Sequence, residues 1–263
     1  MVAAESATKA NTVCAELFRS VGLPHRQIAA FVDPDHSASI ALCQGLRITL
    51  VNIPFAADAA TTAPVSLAWW HSELRTLASG GASRHPLLQP MQGQFAPTAQ
   101  SVDEVIALLG NQALSAPVET TSQSWTAVEE SARVADFFCT DATSRPIVRL
   151  LWAGCIAMER LASLASGQDR YTRWLPLKLR AQYADDRKKL LGTVAQEVRN
   201  KVVVDARACV QPQAQYSYLC WQLANKGIER ALAQKVSQCY PRSALWLLWR
   251  ETRRLKTLTS NQT

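Results

Sequence analysis

The chain has 263 residues, 48% of them hydrophobic, with 10 glycines and 12 prolines. This length and composition suit one large domain or two small ones with a substantial core, and the abundance of alanine and leucine favours helices. Residues 1–150 carry 9 Lys and Arg against 13 Asp and Glu, whereas residues 151–263 carry 19 against 8. The basic second half could meet a membrane surface, a diphosphate or nucleic acid, but most such charge runs are simply solvated helix faces.

Cysteine usage and the absence of long apolar runs predict the compartment. The seven cysteines form no C-x-x-C pair, so we expect neither a zinc site nor a disulfide framework. The first ten residues contain no apolar run, and no stretch approaches ~20 uncharged apolar residues. These features predict a cytoplasmic protein that could still associate with a membrane.

The first half of the chain predicts three helices and a connection. The first two cover about 6–20 and 37–51. Pro64 suits the first turn of the third helix, which Gly80 and Gly81 end. The segment 85–98 has three prolines and no periodicity, so we expect a surface connection there.

Six further helices are predicted after this connection. Ser101 is expected to cap a short helix, with Glu104 at the capping-box position. Another helix is expected over 124–139, and Arg145–Pro146 opens the most regular one, closed by Gly167. Three basic helices follow, at about 185–206, 214–235 and 242–257. Because no alternating strand pattern competes with them, the sequence predicts an all-α, single-domain helical bundle over residues 1–263.

Four segments match, in order, the landmarks of one known protein family. The helix Ser66–Leu74 contains a tryptophan pair, Trp69–Trp70, and a His-Pro linker follows it at His85–Pro86. The segment Tyr171–Leu179 resembles the Leu-Pro turn of the family, and residues 206–232 resemble its late helix. In these four segments the chain resembles the squalene/phytoene synthase family, and this resemblance implies an isoprenoid-synthase bundle with a central cavity. Active members join two prenyl diphosphates head to head, using Mg²⁺ held by two Asp-rich helical motifs.

The carboxylates that this chemistry needs are missing. Mg²⁺ requires oxygen ligands, and two acids four residues apart share a helix face. No two acidic residues in this chain are three or four apart. The stretch Gln44–Asn52, where the first motif should lie, has no acid, and Ala157–Ser166, where the second should lie, has only Glu159.

The sequence therefore predicts a squalene/phytoene synthase-like pseudoenzyme that binds a lipid or isoprenoid or assists assembly, without a cofactor. The alternative is an active head-to-head prenyl transferase that uses isoprenyl diphosphates and holds Mg²⁺ with atypical ligands. An unrelated helical interaction module is a third option. No motif for reading nucleic acid is present, so we do not expect a nucleic-acid partner.

Two sets of residues are candidates for binding. The first would line a cavity or contact a ligand: Trp69, Trp70, Glu159, Tyr171, Arg173 and Trp174. The second lies on the basic amphipathic helix 242–257, which could face a membrane or a partner protein: Trp246, Trp249, Arg250, Arg253, Arg254 and Lys256.

Overall fold

A computed structural model describes residues 34–56, 58–92, 97–139, 141–233 and 242–260, together with positions 12, 13, 16, 28 and 31. Within helices, the side chains of residues 34–38, 242–245 and 258–260 are not described. The helix predicted over residues 6–20 lies outside the described ranges, apart from three isolated positions. Across the described residues, all regular structure is helical and no strand is present, which confirms the all-α class.

The described ranges hold nine α-helices, which we number in chain order. Their bounds are α1 Pro34–Asn52, α2 Ala59–Ala78, α3 Ala99–Leu114, α4 Thr121–Ala132, α5 Arg145–Ala165, α6 Leu177–Gln182, α7 Arg187–Lys201, α8 Pro212–Leu232 and α9 Arg242–Ser260. Short 3₁₀ helices lie at Ile53–Phe55, Gln89–Met91, Arg133–Phe137, Asp169–Trp174 and Ala206–Ala208.

Helix α5 lies at the centre of the bundle and packs against α4, α7 and α8. Before the helix starts, the Asp141 carboxylate accepts hydrogen bonds from the backbone and hydroxyls of Thr143 and Ser144. After it, Gly167 has a φ of +90°, a conformation that glycine adopts without steric cost. The predicted bounds of the most regular helix are therefore confirmed.

Helices α5 and α8 approach each other closely at Gly154 of α5. A Cβ atom placed on Gly154 would lie 2.7 Å from the Trp221 ring and 2.9 Å from Val202 Cγ2. Glycine is thus required at this point of α5, because any side chain would separate the two helices.

Some predicted boundaries are wrong. Pro64 lies inside α2, which begins at Ala59, so it occupies the sixth helical position and not the first turn. The hydroxyl of Thr98, rather than Ser101, caps α3 by accepting from the Ser101 backbone N–H at 3.1 Å. The helix predicted to reach Cys139 ends at Ala132 and continues as a 3₁₀ turn.

Two further differences concern segments whose patterns are weak. The segment 85–98 is not only a surface connection, since Leu87, Leu88 and Met91 are buried in the core. Helix α6 spans only six residues, too few for a periodic pattern to reveal it.

At the C-terminal end, α9 packs against α8 and the turn Ala206–Ala208. None of the helices in the described ranges is long and apolar enough to cross a bilayer.

Candidate functional site

A buried ion pair joins α1 and α5, the two helices to which the resemblance assigns the metal motifs. Arg47 donates to the two carboxylate oxygens of Glu159 at 3.1 and 2.6 Å. The Arg47 side chain is 0% exposed and that of Glu159 is 8% exposed. Burial alone would lower the pKa of Arg47, but the charge and hydrogen bonds of Glu159 outweigh it and raise that pKa. Arg47 therefore keeps its charge, and its two contacts with Glu159 form a bidentate geometry.

Gln44 and two cysteines complete the surroundings of this ion pair. The remaining guanidinium nitrogen of Arg47, Nε, donates to Gln44 Oε1 at 2.7 Å. Cys155 and Cys220 lie close enough to interact electrostatically with Arg47 and Glu159. Burial raises the pKa of both thiols, so they stay protonated and unreactive at neutral pH.

The carboxylates do not assemble into a metal centre in the described part of the chain. Between Gln44 and Asn52 and along α5 there is one acid, Glu159, and Arg47 engages it. Asp169 pairs with Arg187 at 2.7 Å. No group of three or more His, Cys, Asp or Glu side chains placed to hold a metal ion occurs among the residues that the structure describes.

A second buried guanidinium, that of Arg160, lies directly after Glu159 in α5. The Arg160 side chain is 2% exposed, and its Nε, Nη1 and Nη2 atoms have no hydrogen-bond partner among the described residues. Its Cζ lies 4.1 Å from the ring centroid of Phe55, 5.6 Å from that of Trp174 and 5.9 Å from that of Tyr171. Burial lowers the pKa of Arg160 to about 9, which leaves the group charged at neutral pH.

Three rings surround the Arg160 guanidinium, and polar contacts fix two of them; we call the set the aromatic cage: Phe55, Tyr171 and Trp174. Tyr171 donates its hydroxyl to Asn52 Oδ1 at 2.5 Å, and Trp174 donates Nε1–H to the Ser124 carbonyl at 2.8 Å. Burial raises the pKa of Tyr171, so its hydroxyl remains a donor. The cage is thus held from both sides by neighbouring helices.

Arg173 braces the outer side of the cage. Its guanidinium lies 4.9 Å from the Phe55 ring centroid and donates to the carbonyls of Ala113, at 3.1 Å, and Pro54. Partial burial lowers the pKa of Arg173. Of the predicted cavity residues, Tyr171, Arg173 and Trp174 therefore lie together, beside Arg160 and close to Glu159.

A cavity of about 280 Å³ opens beside the cage. Phe55, Arg173 and Trp174 form one side of it, and Val118 and Glu130 are among its other lining residues. A larger and more open hollow of about 760 Å³ lies nearby, between Leu164 on α5 and the α6–α7 region.

The predicted tryptophan pair of α2 belongs to a different cluster. Trp70 is buried in the core, whereas Trp69 is 45% exposed, and their rings meet edge to face at 5.1 Å. The His85 ring lies 4.6 Å from Trp70 and 5.5 Å from Trp69. The structure therefore does not bring this pair to the cage around Arg160.

The outer face of α9 carries aromatic and basic side chains in pairs. Trp246 is 56% exposed and Trp249 is 47% exposed. The Arg250 guanidinium lies 5.0 Å from the Trp246 ring, and that of Arg253 lies 4.9 Å from the Trp249 ring. These four residues form what we call the outer Trp/Arg face, which Arg254 and Lys256 flank as exposed residues.

The inner face of α9 fixes this orientation. Leu247, Leu248 and Leu255 are buried in the core. Glu251, also buried, accepts from Arg250 at 2.6 Å and pairs with Arg254 at 3.7 Å. The only acid of the helix is therefore neutralised at its inner side, and the outer face keeps a positive charge.

Sequence reasoning missed the two buried arginines, Arg47 and Arg160. A signal for Arg160 existed, because it lies four residues after Ile156 and four before Leu164 on the buried stripe of α5. A charged residue at such a position needs a partner or a special role.

Comparison with known proteins adds no assignment: neither a scan against protein-family models nor a search of curated proteins found a match.

Proposed function

We propose that this protein has a squalene/phytoene synthase-like scaffold of the isoprenoid-synthase type that binds lipids or isoprenoids without Mg²⁺-dependent prenyl transfer. The observation that carries the proposal is the Arg47–Glu159 ion pair. It occupies the stretches of α1 and α5 where the resemblance expects the two Asp-rich motifs.

The physical reason lies in the charge that must be stabilised. Departure of diphosphate develops negative charge that Mg²⁺ ions, held by several carboxylate oxygens, normally offset. Here the single carboxylate in these stretches already has two strong donors from Arg47. Releasing it to bind a metal would leave Arg47 as a buried charge without a partner, which is costly.

Retention of the scaffold without this chemistry supports binding rather than turnover. The helices that surround the ion pair present apolar side chains, and apolar cavities are typical lipid sites. A role in assembly with a partner protein is compatible with the same proposal. Two of the predicted residues, Arg173 and Trp174, line the cavity of about 280 Å³.

The outer Trp/Arg face supports a location at an anionic membrane surface. Tryptophan prefers the interface between water and lipid, and arginine is attracted to acidic headgroups. Because the buried leucines of α9 already hold the helix on the core, the outer face is available without unfolding.

A transfer assay tests whether the protein binds an isoprenoid without prenyl transfer. Purified protein is incubated with farnesyl or geranylgeranyl diphosphate and Mg²⁺, and released diphosphate and new hydrocarbon are measured. We expect neither product, whereas binding of the uncharged farnesol should be detectable by quenching of tryptophan fluorescence. Metal-dependent turnover would overturn the proposal and favour the prenyl transferase with atypical ligands.

Vesicle co-sedimentation tests the proposed location at an anionic membrane surface. Vesicles of phosphatidylserine and phosphatidylcholine should bind the protein, and binding should weaken as salt is raised because the attraction is screened. The double variant Trp246→Ser/Trp249→Ser should lose most binding, whereas the control Trp69→Ser, an exposed tryptophan on α2, should keep it. Equal binding by both variants would refute the location.

A further inference from the structure

Arg160 is the least satisfied charged group among the described residues. Arg47 has the same burial, but Glu159 and Gln44 receive its N–H donors. None of the three nitrogens of Arg160 has such a partner. Two arginines of one core therefore differ completely in how their donors are satisfied.

Attraction to the cage rings does not resolve this difference. A ring face interacts with the positive charge, whereas the N–H groups of the guanidinium need acceptor oxygens. Buried donors without acceptors are rare because each costs free energy. All three nitrogens of the Arg160 guanidinium thus lack an acceptor among the described residues.

The cage separates this fork from the cavity of about 280 Å³. Phe55 and Trp174 contact the Arg160 cation and also line the cavity. Arg173, at the cavity side of Phe55, has already committed its guanidinium to the carbonyls of Pro54 and Ala113. Phe55 and Trp174 are therefore the side chains that lie between the cavity and the unpaired donors of Arg160, and a ligand that reaches both must displace one of their rings.

We propose that Arg160 binds the carboxylate of a small monocarboxylic acid whose apolar body occupies the adjoining cavity. A planar carboxylate matches one guanidinium fork in a bidentate arrangement. A phosphate monoester or a diphosphate brings a second negative charge, which Glu130 in the cavity lining and Glu159, whose carboxylate interacts electrostatically with Arg160, oppose. The site uses the same cavity that is proposed above for a lipid, but it rests on the unpaired donors of Arg160 and not on recognition of an isoprenoid.

Hexanoate is a suitable probe of the full chain, measured by calorimetry or by NMR transfer of saturation from the protein. Three compounds serve as controls. Hexanol has the same chain without a charge, and hexyl phosphate and inorganic phosphate carry a phosphate group in place of the carboxylate. We expect saturable binding of hexanoate, and binding of hexanol and hexyl phosphate that is weaker by about tenfold or more.

Two arginine variants form a matched pair. Arg160→Met should abolish hexanoate binding, whereas Arg170→Met should preserve it, since exposed Arg170 also contacts the Tyr171 ring, with its Cζ 4.7 Å from the centroid, but from the surface. Arg160→Met removes an unsatisfied buried charge, so its urea midpoint should equal or exceed that of the original protein. If it fails to fold, Arg160→Lys serves instead, with a loss of the bidentate contact and at least about tenfold weaker binding.

Several outcomes would overturn the site. One is the absence of saturable hexanoate binding up to about 10 mM. Others are equal binding by Arg160→Met, tighter binding of hexyl phosphate than of hexanoate, and a crystal structure grown with hexanoate that shows only water on Arg160. None of these measurements uses an isoprenoid or a membrane, so failure of this site and failure of the proposed function are distinguishable.

Discussion

The core around α5 and the outer Trp/Arg face of α9 both contain an arginine beside an aromatic ring. The pair in the core is buried, and the pair on α9 is exposed. Inside, Arg160 lies 4.1 Å from the Phe55 ring centroid, and outside, Arg253 lies 4.9 Å from that of Trp249. Water solvates the outer guanidinium, so it can exchange partners freely. The inner one has no such solvent, and each unmet donor costs free energy. Burial, more than contact geometry, decides what an arginine–aromatic pair contributes.

The largest expected effect comes from breaking the inner ion pair. Glu159→Gln should leave Arg47 buried without a counter-charge and lower the free energy of unfolding by about 3–5 kcal/mol. Urea denaturation followed by circular dichroism measures the change. The double variant Arg47→Met/Glu159→Met removes both charges and should recover most of the loss or exceed the original stability. A loss below about 1 kcal/mol for Glu159→Gln would show that water reaches the pair.

The next effect tests how tightly the inner region is packed. Gly154→Ala places a methyl group against the Trp221 ring, so the free energy of unfolding should fall by about 1–3 kcal/mol. Gly227→Ala, in α8, is the control: nothing lies within 4 Å of the added Cβ, and the protein should gain about 0.5–1 kcal/mol. Similar effects from both substitutions would contradict the close crossing of α5 and α8.

A smaller effect concerns a charge at the exposed start of α5. Hydrogen bonds from Ser144 and Thr143 lower the pKa of Asp141 to about 2, from an ordinary value of 3.8. Because the folded-state pKa is the lower one, the stabilisation is present above pH 3.8 and is lost as the pH falls towards 2. The stability difference between the original protein and Asp141→Asn should therefore shrink over this range. A difference independent of pH would show that the carboxylate does not hold the turn.

The outer Trp/Arg face should have the smallest effect on stability. Trp249→Ala and Arg253→Ala should each change the free energy of unfolding by less than about 1 kcal/mol, because both side chains are solvated. Thermal unfolding checks this, alongside vesicle binding by the same variants. A large loss of stability would mean that these side chains help to hold α9 on the core.

Local patterns in the sequence predicted the helices with the strongest periodicity. The apolar stripe, the proline at its start and Gly167 after its end predicted that α5 begins at Arg145–Pro146 and ends before Gly167, as it does. Boundaries were less accurate where several side chains could serve as caps, as at Thr98 and Ser101, since only the three-dimensional turn selects one of them. The six-residue α6 has no period to detect.

The candidate site was predictable only in part. Tyr171, Arg173 and Trp174 are neighbours in sequence, so their common location followed from one turn. The pairing of Arg47 with Glu159 joins positions 112 residues apart. The contact of Arg160 with Phe55 also joins residues that are distant in sequence. Such contacts depend on how helices pack, which a single sequence does not encode locally.

The separation of Arg47 from Glu159 also has a consequence for biosynthesis. A ribosome releases α1 long before α5, so the guanidinium of Arg47 must remain hydrated until its counter-charge emerges 112 residues later. Domains whose contacts join distant segments fold slowly and expose apolar surface in the meantime. We therefore expect the nascent N-terminal half to remain dependent on chaperones until translation has passed the middle of the chain.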